Sequence, residues 1–194
     1  PFVTTWETTS HNESITIPTR IGTNYDFEIR WGDGTVEQIT GDDPDPSHEY
    51  NSAGTYAVEI STAESGETFP GIDLQSGRNE NAKKLQSIDQ WGTIQWETME
   101  NAFDGASNMT YAATDKPDLS GVTSMYQMFT GCSSFNGAIG DWDVSNVTVM
   151  SYLFDGASSF NQDISGWDVS NVTEMDYMFA EASSFNQPIF VWDV

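Results

Sequence analysis

The 194-residue sequence holds one cysteine, two histidines and six basic residues. A single cysteine excludes an intrachain disulfide and a multi-cysteine zinc site. Cys132 stands at a position held elsewhere by Ala106, Ala157 and Ala182. A small buried side chain is therefore expected there rather than a reactive thiol. Basic residues stop at Lys116, while acidic ones run on to the end, and the formal net charge is −24. Such a surface repels phosphate backbones and anionic head groups, which excludes nucleic acid as a partner. It suits a salty or calcium-containing exterior, where counter-ions screen self-repulsion. No apolar run reaches membrane-spanning length and no signal peptide is visible, so direct membrane insertion is not expected. Pro1 stands where a methionine would, and the start is expected to be processed or cut from a longer chain.

The groups of catalysis are equally scarce. His48 and His11 sit beside no nucleophile that spacing can pair with them. Trp31-Gly-Asp-Gly carries no phosphate-binding lysine and leads into a strand rather than a helix. The chain is expected not to be an enzyme, and no catalytic, cofactor-binding or metal-ligating residue is nominated. Carboxylates are the exception in number. Asp141 and Asp143 flank Trp142, Asp118, Asp168 and Asp193 repeat the second position, and Asp42, Asp43 and Asp45 form a second cluster. The first set is expected to accept backbone hydrogen bonds in turns and the second to lie in a solvated loop. Calcium is the one cofactor these oxygens leave open.

What is present falls into two patterns. In YDFEIRW, Tyr25, Phe27, Ile29 and Trp31 alternate with polar residues, which predicts a half-buried antiparallel strand. Asp33-Gly34 predicts a tight turn and Thr35 to Ile39 the return strand. GTYAVEI alternates again, and short strands between turn signals suggest a small β-sandwich. Beyond about Asn79 the period changes. Phe103, Phe129, Phe154 and Phe179 recur at offsets of 26, 25 and 25, and Trp142, Trp167 and Trp192 at 25. SSFNGAIGDWDVSNVTVMSYLF and SSFNQDISGWDVSNVTEMDYMF, 25 residues apart, share fifteen of 22 positions. A fixed period of this length predicts a solenoid, because one unit cannot offset the entropy of ordering its backbone and stacked units can. Val172, Met175, Met178, Phe179 and Ala182 fall at helical spacing, with Asn171 as the cap and Glu174 three residues on. A short strand is expected near Phe160–Ile164, followed by a turn carrying Trp167. Asn136, Asn161 and Asn186 are expected to form a buried asparagine ladder, with Gln162 and Gln187 exposed. Of four N-x-S/T sequons, those at Asn146 and Asn171 are explained by capping.

Trp31-Gly-Asp-Gly-Thr35, His48-Glu-Tyr50 and Gly54-Thr-Tyr56-Ala-Val58 together resemble the signature of PKD domains. The usual phenylalanine before Gly-Asp-Gly is missing. Residues 150–179 resemble the BspA-like, DUF285-type surface-protein repeat, a relative of leucine-rich repeats, nearly throughout. The segment from Leu85 to Tyr111 reads as a degenerate copy with Trp96 in place of valine, and Lys116-Pro117 replaces the Asp-Trp of later units. The resemblances imply a mostly β, immunoglobulin-like sandwich followed by an α/β leucine-rich-repeat-like solenoid of about 25-residue units. They place the sandwich at residues 1–72, a linker at 73–79 and the solenoid at 80–194, with about four and a half units.

The resulting expectation is a non-catalytic, extracellular or cell-surface fragment that presents its repeats to a protein or glycan. The alternative is a structural subunit of a filament, sheath, surface layer or virion. It would be assembled with other copies through solenoid ends, with Val194 at the suspect interface. A carboxylate-pair hydrolase is the outsider.

Overall fold

In the computed structural model, residues 1–42, 45–62, 67–75 and 79–193 are described. Asp43, part of the expected second acidic cluster, and Val194, the expected assembly end, lie outside them.

Period-two alternation builds the first half. β1 (Phe2–Thr8) buries Phe2, Thr4, Trp6 and Thr8 and turns the residues between them outward. It lies at the centre of a sheet because both its edges are taken, by β6 (Gly54–Thr62) and by β8 (Leu85–Gln90), each antiparallel. β6 in turn pairs with β3 (Asn24–Arg30), and β3 with β4 (Val36–Asp42). The β3–β4 hairpin matches its sequence pattern. Tyr25, Phe27 and Ile29 are buried, Arg30 faces Val36, and the Trp31 amide donates to the Thr35 carbonyl at 3.0 Å. β10 (Thr110–Tyr111) adds to β8 in parallel and completes a six-stranded mixed sheet. Two small sheets complete the strands, one from β2 (Glu13–Thr16) with β5 (Ser47–Tyr50) and one from β7 (Thr68–Phe69) with β9 (Gln95–Trp96).

Two corrections to the expected fold class follow. In place of an immunoglobulin-like sandwich closed upon itself, one large sheet draws strands from both sides of residues 73–79. In place of an α/β solenoid, the second half has almost no helix. The one helix among the described residues is α1 (Asn79–Ala82), outside the repeats.

The repeat segments are instead coils made of successive tight turns, four of them, which we number 1 (95–119), 2 (120–144), 3 (145–169) and 4 (170–193). The helix expected over Val172–Ala182 is replaced by three-residue turn bonds, such as Met178 N–H to Met175 O and Ala182 N–H to Phe179 O. The strand expected at Phe160–Ile164 is irregular chain. Two left-handed residues per coil explain the missing helix. Asn101, Gln127, Tyr152 and Tyr177 have φ of 55–60°. Gly105, Gly131 and Gly156 follow four residues behind the first three with φ of 68–78°. A helix admits neither.

One hydrophobic core runs through both halves. Trp96, the odd residue of the degenerate unit, packs edge-on against Phe2 at 5.1 Å, Phe69 at 5.3 Å and Trp91 at 5.8 Å. Bulk that reads as a defect in the repeat fills the seam between sheet and coils. Beyond it, Phe103, Phe129, Phe154 and Phe179 stack nearly parallel at 5.7, 5.7 and 5.6 Å. Phe135, Phe160 and Phe185 form a second column at 5.9 and 5.8 Å.

Candidate interaction surface

Each coil binds the next in one register. Met99, Asn101, Phe103 and Gly105 donate their amides to the carbonyls of Ser124, Tyr126, Met128 and Thr130. Met125, Gln127, Phe129 and Gly131 repeat this on Val149, Ser151, Leu153 and Asp155, and Met150, Tyr152, Phe154 and Gly156 on Glu174, Asp176, Met178 and Ala180. All these bonds span 2.7–3.2 Å. The glycine column permits the approach. Gly131 and Gly156 each lie so that an added Cβ would touch the Cα of the glycine one coil earlier, at 3.6 and 3.5 Å.

Side chains on the outside are fixed by the same stacking. Asn161 and Asn186 donate their backbone amides to the side-chain oxygens of Asn136 and Asn161, each at 2.9 Å. Gln162 and Gln187 reach back to the same oxygens at 3.1 and 3.0 Å. The expected asparagine ladder is therefore present in its bonding, but at the surface rather than buried: Asn136 and Asn186 are exposed. Asn146 and Asn171 cap no helix. Their amide groups donate to Ser120 O and Ser145 O of the preceding coil at 3.2 and 2.8 Å.

The recurrent aspartates take the turn role. Asp118, Asp143 and Asp168 each accept the amide two residues on, from Ser120, Ser145 and Ser170 at 3.0–3.1 Å, and the serine hydroxyl as well. Side-chain and then backbone bonds from the serine hold the Asp143 and Asp168 carboxyls below the usual range. Asp42 and Asp45 likewise accept backbone amides, from Gly22 at 2.9 Å and Thr19 at 2.8 Å. Among the described residues no group of three or more His, Cys, Asp or Glu converges on a metal position.

The histidines are held in place. His48 Nε2 lies 2.7 Å from Asp33 Oδ2, and its ring stacks on Trp31 at 5.3 Å and meets Tyr50 edge-on. Tyr50 donates to the Trp31 carbonyl at 2.7 Å, so Trp31, Asp33, His48 and Tyr50 form one connected cluster. His11 Nδ1 sits 2.7 Å from Asn51 O. Burial, with the Asp104 charge second, pushes the Cys132 thiol well up, and its Sγ lies 3.0 Å from Phe103 O.

The two ends of the stack differ. Coil 1 is covered by the first half of the chain. Glu97 donates to Phe69 O and Leu74 to Asn101 O, each at 3.0 Å. Arg20 pairs with the Glu100 carboxylate at 2.7 Å and donates to its carbonyl at 3.2 Å. Among the described residues, nothing covers coil 4. Met175, Phe179 and Trp192 are only partly buried although their counterparts are fully enclosed, and Tyr177 and Phe190 are 65% and 87% exposed. An apolar groove of 580 Å³ opens there. Sequence reasoning had a signal for the coil ends in the Trp96 substitution, but none for the hydrogen-bond polarity.

These features define a class: a stack of short, turn-built repeats with periodic outer rows, anchored on a β-sheet. Residues 97–194 match the family described as "Mycoplasma protein of unknown function, DUF285", and the chain belongs to that family. No curated protein and no solved structure matches it. No helix among the described residues is long and apolar enough to cross a membrane.

Proposed function

We propose that this chain is a non-catalytic module of an extracellular, cell or virion surface, which uses the outer rows of its coils to bind a protein or glycan. The observation that carries this reading is the Asn–Gln row. Asn136, Asn161 and Asn186, with Gln162 and Gln187, repeat at the coil spacing on the surface, and inter-coil bonds fix their amides in place. Amides held in advance lose little freedom when a ligand binds, and the Gln side-chain carbonyls remain open to hydroxyl or amide donors. The net charge of −24 favours a cationic or neutral partner.

Screening the chain against glycan and matrix-protein arrays tests the proposal. Specific binding that is lost in Gln162→Ala/Gln187→Ala, with thermal stability unchanged, is the expected result. Silence on both arrays, or binding indifferent to that pair, would remove the reading. Assembly of copies head to tail is the weaker alternative, because the face of coil 1 is already occupied by Phe69, Leu74 and Arg20.

A further inference from the structure

The six-stranded sheet has two edges, and they differ. β10 is two residues long and lies within coil 1, whereas β4 is seven residues long and pairs only with β3 among the described residues. The bond from the Trp31 amide to the Thr35 carbonyl sets the parity of the β3–β4 ladder. Glu37, Ile39 and Gly41 exchange backbone bonds with β3, so Val36, Gln38 and Thr40 direct their N–H and C=O groups outward. Among the described residues these groups meet no partner. All three side chains are exposed, Val36 by 47%. Lysine, proline and bulges commonly guard a free edge. β4 has none of them: its register with β3 is unbroken over seven pairs, whereas that of β1 with β8 shifts twice.

We propose that β4 takes up an extended, basic segment of a partner protein as a further strand of the sheet. Main-chain bonds to Val36, Gln38 and Thr40 hold it, and charge complementarity selects it. On the outer face of the sheet, Asp26 lies behind Thr40 and Glu28 behind Gln38, with Asp42 at the end of the strand. Arg30 on the same face is already bound to Glu28 at 2.8 Å. Lys or Arg at alternate positions of the added strand reaches these carboxylates across Gln38 and Thr40. On the opposite face, half-buried Ile39 is continued by apolar or β-branched residues at the positions between. A second copy of this chain does not supply such a strand. No two of its six basic residues stand two positions apart in the sequence. Pairing β4 with itself also sets two molecules of net charge −24 side by side.

The probe is a synthetic peptide in which lysine alternates with valine and threonine, titrated into the full chain. A control peptide of the same charge carries proline in place of its central valine. Backbone amide exchange at Val36, Gln38 and Thr40 is read by NMR, with light scattering of each sample. The expected result is exchange at those three positions slowed about tenfold or more by the alternating peptide and not by the control. Gln38→Pro removes one outward N–H at a place where a sheet edge tolerates proline, and is expected to abolish the effect. Should that variant fail to fold, a peptide methylated on the amides that face β4 replaces it and is expected to lose binding in the same way. Equal protection by both peptides would show attraction by charge alone and overturn the proposal. So would unchanged exchange at the three amides, or a dimer of the chain by itself in which they are already protected. Gln162→Ala/Gln187→Ala is expected to bind the peptide as the unaltered chain does, so this result and that of the arrays stand or fall separately.

Discussion

Single residues here matter most where they join things. Trp96 is fully enclosed, and its indole N–H has no acceptor among the described residues. Trp96→Ala opens a large void among Phe2, Phe69 and Trp91 and is expected to cost about 3–5 kcal/mol. Trp96→Phe keeps most of the packing and removes an orphan donor, so the expected cost is below about 1.5 kcal/mol. Urea denaturation of the two variants separates packing from polarity, and equal losses would refute the assignment. Glu13 is a joint of another kind. It accepts the Thr9 and Ser10 amides at 2.7 and 3.2 Å and pairs with Lys84 at 3.0 Å. The Thr9 amide foremost, then Lys84 and the Ser10 amide, outweigh the opposing effect of burial. They hold the carboxyl at about 2 against an ordinary 4.5. A lowered folded-state value stabilises fully above 4.5, and the contribution is lost as pH falls toward 2. Glu13→Gln is expected to be less stable by about 1–2 kcal/mol at pH 7, with the gap closing between pH 4.5 and 2. Parallel stability curves over that range would count against it.

At the scale of elements, the coils tolerate bulk unevenly. A Cβ on Gly140 would meet the Asp163 carbonyl of the next coil at 2.3 Å, whereas one on Gly166 finds nothing nearer than 3.8 Å. Gly140→Ala is expected to destabilise by about 1–3 kcal/mol and Gly166→Ala by less than about 0.5 kcal/mol. Thermal denaturation of the pair checks this, and similar values would mean the coils slide apart freely. The elements also differ in how far their sequences reveal them. β3 and β4 are legible because alternation of Tyr25, Phe27 and Ile29 has one structural meaning. The repeat period is legible because columns of Phe and Trp can only align in a stack. The coil conformation is not. A three-residue spacing such as Val172, Met175, Met178 arises equally from a helical face and from consecutive tight turns. What decides between them is an amide pointing at a neighbouring coil, a partner some 25 residues away that local pattern does not register. The glycine recurring at 105, 131 and 156 inside the expected helix is the local sign of the turns. The Asn–Gln row was legible as a ladder, but its exposure depends on which way the turns face.

For the molecule as a whole, the sheet order places β1 and β6 beside β8 and β10, and one core spans both halves. Unfolding is therefore expected as a single cooperative transition, with fragments 1–75 and 79–193 unable to fold apart. Two resolved transitions in calorimetry would contradict this. With 30 acidic side chains against six basic ones, added sodium chloride is expected to raise Tm by several degrees through screening. The bonding between coils has a mechanical consequence. Four amides point forward at each junction, and at the last one those of Thr173, Glu174, Asp176 and Asn186 point back. Parting coils 3 and 4 therefore exposes eight backbone amides together, so that junction opens as one event rather than residue by residue.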